Sequence, residues 1–315
     1  METTFIKELS DRIRTNISKV IIGKEDVIDL LLVAMLAGGH ILMEDYPGTG
    51  KTMLAKALAK SIDGDCKRVQ FTPDLMPSDI TGINVYNPKN GEFNLVKGPV
   101  FTNVLLADEI NRATPRTQSS LLEAMEERQV TIDGNTLELS ETFLVVATEN
   151  PLETTGTYPL PEAMLDRFTM KLCMGETTKE DELKIIEVFI DNNPLEEISA
   201  VVDIADIERA KTEVRKILVN ECVREYIADI VMLSRKSNSL TRGISTRGTL
   251  ALLRCSQAYA ALIGRNFVEP DDVKYIAPYV LGHRITGEGE SVQNSARAVM
   301  ELVQGVKVPI EKWER

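Results

Sequence analysis

The sequence predicts an α/β fold: a parallel sheet with inserted β-hairpins, followed by an all-α half. Three observations carry the prediction. Short apolar runs at 40–44, 67–71, 103–107, 143–147 and 168–172 alternate with helically spaced segments, the rhythm of strand–helix–strand units. The first run leads into a Pro/Gly turn, then Gly50-Lys51-Thr52, then helical spacing, which is the layout of a phosphate-binding loop. From Thr178 onward helices dominate, so a boundary is expected near Gly175, between residues 1–175 and 176–315.

Along the chain, residues 5–20 and 27–37 space their apolar side chains helically, and Gly38-Gly39 ends the second segment. The 40–44 run is the first strand, and the helix after the loop reaches about Ile62. Asp63-Gly64-Asp65 turns the chain into the second strand. Alternating residues on either side of Asn90-Gly91 signal a hairpin, which interrupts the rhythm as an insertion at about 82–98. The 103–107 strand ends in Asp108-Glu109. Thr114-Pro115 supplies an N-cap and a proline at the first position of a helix through Leu121, Leu122 and Met125. A second hairpin, 129–139, turns at Asp133-Gly134. Strands 143–147 and 168–172 follow, with a short helix near Pro161 between them. Thr178-Lys179-Glu180-Asp181 resembles a capping box and opens helices near 179–190, 206–219, 221–236, 246–263, 270–280 and 291–303.

With 315 residues the chain is long enough for about two domains. Its 43% apolar and 27% charged residues describe a globular chain rather than a disordered one. A net charge of −12 and a 5% aromatic share argue against the basic field and stacking platforms of a nucleic-acid binder. Cys66, Cys173, Cys222 and Cys255 lie far apart without a C-x-x-C, so free buried thiols in a reducing cytoplasm are expected. No signal segment and no apolar run of spanning length is present. The expected location is cytoplasmic, with membranes reached only through partners.

In the loop, backbone N–H groups and a helix N-terminus would cradle phosphate, Lys51 would reach the β/γ-phosphates and Thr52 would ligate Mg²⁺. The strict pattern has glycine five positions before Gly50, and Asp45 stands there instead. In Val104-Leu105-Leu106-Ala107-Asp108-Glu109, Asp108 is placed to hold a hydrated Mg²⁺ and Glu109 to orient and deprotonate an attacking water. Asn150 closes the strand of Val145-Val146-Ala147-Thr148-Glu149-Asn150-Pro151. It is placed to bond a γ-phosphate or the attacking water, or simply to cap a loop. Arg167 alone reads as a surface ion pair with Asp166. Arg247 sits at a helix start, where the dipole disfavours a cation unless an anion lies near.

Several stretches carry a family resemblance: Glu44-Asp45-Tyr46-Pro47-Gly48-Thr49-Gly50-Lys51-Thr52, Gln70-Phe71-Thr72-Pro73-Asp74 and Gly98-Pro99-Val100-Phe101. So do the run from Ala107-Asp108-Glu109-Ile110-Asn111-Arg112-Ala113 to Gln129-Val130-Thr131, Ala147-Thr148-Glu149-Asn150-Pro151, and Leu165-Asp166-Arg167-Phe168. In this order, and over essentially the whole chain, they resemble AAA+ ATPases, and closely the MoxR group of the helix-2-insert clade. Asp45 is a departure that this group resembles in tolerating.

The resemblance implies an AAA+ core and lid that bind ATP/ADP with Mg²⁺. It assigns Ile22 and Gly23 to the turn against adenine, Pro47, Gly48, Thr49, Gly50, Lys51, Thr52 and Met53 to the nucleotide, and Thr52 and Asp108 to the metal. Glu109 is the implied base, Asn150 the first sensor, Arg167 an arginine finger acting on a neighbour's ATP, and Arg247 the second sensor. Arg112 and Arg116 lie near the implied interface, as possible cations in trans or as solvated charges. A ring, commonly hexameric, is implied, as are chaperone-like remodelling or maturation of a protein client and association with a von Willebrand factor A domain protein. The hairpin at 83–96 matches the insert facing a pore or partner. Three competitors stand beside this reading. A nucleic-acid motor would show DNA- or RNA-stimulated turnover, and the ATPase subunit of a metal chelatase would support chelation into a porphyrin. A small-molecule kinase would transfer phosphate to an acceptor.

Overall fold

The computed structural model describes residues 2–46, 48–89, 91–150, 156–237, 240–287 and 292–309. Helices α1 (Glu2–Ile17) and α2 (Glu25–Leu36) precede β1 (Ile41–Glu44), α3 (Lys51–Ser61) and β2 (Cys66–Gln70). The one-turn α4 (Pro77–Thr81) leads to a hairpin of β3 (Gly82–Asn87) and β4 (Glu92–Lys97). Then come β5 (Val104–Asp108), a 3₁₀ turn at Ile110–Arg112, α5 (Pro115–Glu127), a hairpin of β6 (Gln129–Ile132) and β7 (Asn135–Glu138), β8 (Leu144–Glu149), α6 (Glu162–Leu165) and β9 (Met170–Leu172). Beyond Gly175 lie α7 (Lys179–Phe189), α8 (Pro194–Glu197), α9 (Ile204–Val214), α10 (Glu221–Lys236), β10 (Leu240–Arg242), α11 (Thr246–Leu262), α12 (Pro270–Leu281), β11 (Thr286–Gly287) and α13 (Val292–Gly305).

The main sheet is five-stranded, ordered β2-β5-β8-β1-β9, with parallel pairing throughout. Its central strands are apolar because both faces are covered. Side chains alternate between the faces, and the two cores follow that period. Ile41, Met43, Val104, Leu106, Leu144 and Val146 enter one core with α1, α2, α3 and the C-terminal helices. Leu42, Leu105, Ala107, Val145 and Ala147 enter the other, with α5 and the β6–β7 hairpin. The register sets Glu44 beside Glu149 and Gln70 beside Asp108. The C-terminal ends of β1, β2, β5 and β8 therefore form one rim, where open α/β sheets bind ligands.

Where the elements differ from expectation, local bonds give the reason. α1 stops at Ile17 because the Val20 and Ile21 N–H groups fold back onto the Ile17 carbonyl, burying both side chains. α9 stops at Val214, and the chain leaves it for a bridge in which Leu218 exchanges backbone bonds with Asn266 and Val268. The helical half also holds a short antiparallel pair, β10 with β11, too brief to register as periodicity. α7 buries none of its residues and leaves Leu183, Ile186 and Phe189 exposed. All four cysteines are free, but only Cys255 is buried and Cys173 is exposed, so the expectation of uniformly buried thiols fails. No helix among the described residues is long and apolar enough to cross a membrane.

Candidate active site

The rim holds a cavity of about 400 Å³, within the usual size for small-ligand sites. Its floor is the loop between β1 and α3. Gly48 and Gly50 take φ of 87° and 92°, a left-handed backbone that β-carbon-bearing residues avoid. Thr49, Lys51, Thr52 and Met53 line the cavity with them. Pro47 lies outside the described residues. Lys51 Nζ donates to the Asp45 carbonyl at 2.8 Å, drawn back along its own loop.

Asp45 explains the missing glycine. Its buried carboxylate accepts the Met174 N–H and the Cys173 thiol (3.0 Å), tying the phosphate loop to the end of β9. Although the residue is exposed as a whole, partial desolvation of its sulfur, together with donation to Asp45, pushes the Cys173 thiol up to about 11, so it remains a donor at neutral pH.

The wall is built from β5 and β8. Thr148 donates to Asp108 Oδ1 at 2.6 Å and accepts the Glu109 N–H at 2.8 Å. Glu109 itself sits at φ 54°, ψ 52°, a left-handed conformation that is uncommon without glycine. The turn beyond it is stitched by the buried Gln118 amide, which donates to the Ile110 and Ala113 carbonyls. Asn150 lines the cavity and is 7% exposed.

Two residues that sequence reasoning passed over, Arg68 and Gln70, complete the wall, and Arg112, which the resemblance set near a subunit interface, joins them at Glu109. Arg68 donates to Asp108 Oδ2 from Nη2 (2.7 Å) and Nε (3.1 Å). Gln70 donates to Glu109 Oε2 at 2.7 Å, and Arg112 donates to the same oxygen at 2.8 Å. Arg68 and Gln70 are two apart on β2 and so share a face. That spacing was visible, but not the register that aims them at Asp108 and Glu109. For a divalent cation the donors are the Thr52 hydroxyl and the Asp108 carboxylate, both hard oxygens. Among the described residues no cluster of three or more His, Cys, Asp or Glu side chains would hold a metal unaided. Such a set suits Mg²⁺, which keeps waters and takes ligands from substrate phosphates.

The remaining expected residues lie apart from the cavity lining. Ile22 and Gly23 occupy the turn between α1 and α2. Its neighbour Ile21 brings that turn to the loop, with Cδ1 4.0 Å from where a Gly50 Cβ would stand. Gly23 has φ +69°, and a Cβ there would meet the Asp181 carboxylate of α7. Arg116 is exposed on α5. Arg167 pairs with Glu126 (2.6 Å) rather than with Asp166 as expected, and Arg247 pairs with the other oxygen of the same Glu126. The Arg167 hydrogen bond chiefly holds the Glu126 carboxyl below the usual range. The anion that Arg247 needed at its helix start is thus Glu126, with Asp166 3.7 Å away.

Residues 40–170 match the family model of the ATPase family associated with various cellular activities (AAA), and residues 232–303 match the AAA lid domain. The chain is 47% identical to the uncharacterized protein YeaC of Bacillus subtilis, over 94% of each chain. It is 37% identical to chaperone MoxR1 of Mycobacterium tuberculosis, over 85% of this chain and 73% of that one. The solved structure of a candidate ATPase from Cytophaga hutchinsonii superposes with a TM-score of 0.90 at 36% identity, covering 98% of this chain and 97% of that chain. At 37% identity over 85% of this chain to a MoxR relative, and with the AAA and AAA lid matches, the chain belongs to the MoxR family of AAA+ ATPases.

Proposed function

We propose that the protein binds ATP with Mg²⁺ in the rim cavity and hydrolyses it as one member of a ring, so as to remodel or mature a protein client. One observation carries the reading. Lys51, Thr52, Asp108, Glu109 and Asn150 converge on one cavity, whereas Arg167 and Arg247 meet outside its lining, on Glu126. A triphosphate site whose finger cations lie elsewhere on its own chain is completed by a neighbour.

In the mechanism, Lys51 leaves the Asp45 carbonyl for the β/γ-phosphate oxygens, and the loop's N–H groups with the α3 N-terminus take the rest of their charge. Thr52 and Asp108 would hold Mg²⁺, which when bound would supply neutralisation of phosphate charge. Asp108 gives up Arg68 to do so. Glu109 takes a proton from the attacking water once its Oε2 is released by Gln70 and Arg112, and Asn150 orients that water. The Ile22-Gly23 turn borders the adenine. Arg167, with Arg247, supplies charge stabilisation from the adjacent subunit, a contribution worth roughly 10³–10⁵ in rate in other phosphate-loop enzymes.

Residues 1–175 act as the nucleotide-binding domain and 176–315 as the lid, in a cytoplasmic hexamer. Ile83, Tyr86 and Phe93 are exposed on the β3–β4 hairpin, which supports that hairpin as the contact for a client or a von Willebrand factor A domain partner. The relative named a chaperone supports the same direction. Glu109→Gln tests the chemistry: it should bind ATP with unchanged affinity and lose about 10²–10⁴ in turnover, and native turnover would remove Glu109 as the base. Arg167→Ala tests the trans site. It should bind ATP without turning it over and regain activity when mixed with Lys51→Ala subunits.

A further inference from the structure

Arg284, just beyond α12, is 6% exposed and lies apart from the nucleotide cavity. Its guanidinium donates to five acceptors: Asp166 Oδ1 (3.0 Å), the Asp166 carbonyl (3.1 Å), the Phe168 carbonyl (2.6 Å), the Thr169 carbonyl (3.1 Å) and the Val280 carbonyl. Four of these belong to residues 166–169, the segment with Arg167 inside it. The Asp166 carboxylate is also claimed by Ser245, whose hydroxyl donates to it at 2.9 Å while capping the Gly248 N–H at the start of α11. Arg247 follows two residues after Ser245. One buried carboxylate and one guanidinium thus fix the backbones of both arginines that meet at Glu126. Gly248 permits the approach, since a Cβ there would stand 3.0 Å from Arg284 Cδ.

A buried ion pair is an expensive way to fill space, and an apolar pair of the same volume generally serves stability as well. What the planar fork adds is direction, because its donors hold several acceptors in fixed relation. We infer that Arg284, through Asp166 and Ser245, is the positioning residue for the Arg167–Arg247 pair, setting the angle at which one subunit presents both cations to its neighbour's nucleotide. The inference rests on the trans reading above and adds a residue that never touches nucleotide. It also makes the finger move with the lid, since Arg284 and Ser245 both belong to the helical half.

The test is complementation in mixed rings. Arg284→Lys keeps the charge and loses the fork. Alone it should bind ATP with native affinity and lose about 10²-fold in kcat, the usual penalty for a group misplaced by about 1 Å. Mixed with Lys51→Ala subunits, which have an intact finger and a dead loop, it should recover turnover. Mixed with Arg167→Ala it should not, because both lack a working finger. Native kcat in Arg284→Lys alone would overturn the inference. So would rescue of Arg167→Ala by Lys51→Ala without rescue of Arg284→Lys, since the defect would then lie in the variant's own site. If Arg167→Ala itself is not rescued in stable mixed rings, the trans reading falls, and this inference with it. Should Arg284→Lys melt by circular dichroism, Ser245→Ala must show the same pattern with a smaller loss, and native kcat in it would be equally decisive.

Discussion

Asp45→Gly restores the residue that the strict phosphate-loop pattern calls for, and the structure requires it to damage the protein. The change removes the carboxylate that accepts the Met174 N–H and the Cys173 thiol. Bonds to a charged acceptor contribute about 1.5–3 kcal/mol, and a buried N–H left unpaired costs about 1–3 kcal/mol. Glycine adds the larger entropy of a freer unfolded chain, about 0.5–1 kcal/mol. Because the thiol is a weak donor and these effects overlap, the expected loss is about 3 kcal/mol. At roughly 2–4 °C per kcal/mol for a chain somewhat shorter than this one, Tm should fall by about 8 °C. Asp45→Asn keeps an acceptor without the charge and should fall between the two. Urea denaturation without nucleotide measures the stability. Alkylation of Cys173 gives an independent readout: the thiol is held up at about 11 partly by Asp45, so losing that carboxylate lowers its pKa and speeds reaction at pH 8. An Asp45→Gly protein as stable as the native one, with an unchanged thiol, would refute the reasoning.

Arg68→Ala frees Asp108 Oδ2. The free Mg²⁺ needed for half-maximal binding of a non-hydrolysable ATP analogue, followed by calorimetry, should fall about 5-fold, as expected for a half-exposed pair worth about 1 kcal/mol. His40 is buried and neutral, its pKa pushed down to about 4 by burial against an unfolded value near 6.5. As pH drops from 7, the unfolded chain binds a proton that the folded chain refuses until about pH 4. At pH 5 this group therefore costs about 2 kcal/mol of stability, and His40→Gln should flatten that slope in denaturation curves at pH 5 and 7. Phe93→Ser, at a side chain 70% exposed on the hairpin, should leave stability within about 0.5 kcal/mol and basal turnover unchanged while impairing client maturation.

The parts legible in the sequence were those that depend on near neighbours. Ile41-Leu42-Met43 and Val104-Leu105-Leu106-Ala107 announce buried strands, and Gly48, Gly50, Lys51, Asp108 and Glu109 announce chemistry, because their residue types and spacing suffice. The parts that escaped depend on register or on long closures. Arg68 reads as an edge-strand charge until β2 is aligned with β5. Arg284 lies more than a hundred residues from Asp166, and Asp45 as far from Met174, and no period links them. Asp45 was legible as an exception and illegible as an anchor.

Glu126 gives a consequence for how copies of this chain would meet. Both arginines already have an anion, so a neighbour's phosphates would take them from a carboxylate, not from bulk water. Association at that face is then an exchange of counter-ions. The Arg167 and Arg247 side chains are 31% and 46% exposed, so Glu126 has displaced only part of the water that the exchange must strip from them. Because the bonds to Glu126 are given up, the electrostatic gain on closing the interface is smaller than it would be for two unpaired guanidinium groups. An ion loses its partner only to a better one, so the face would favour a neighbour loaded with triphosphate over an empty one.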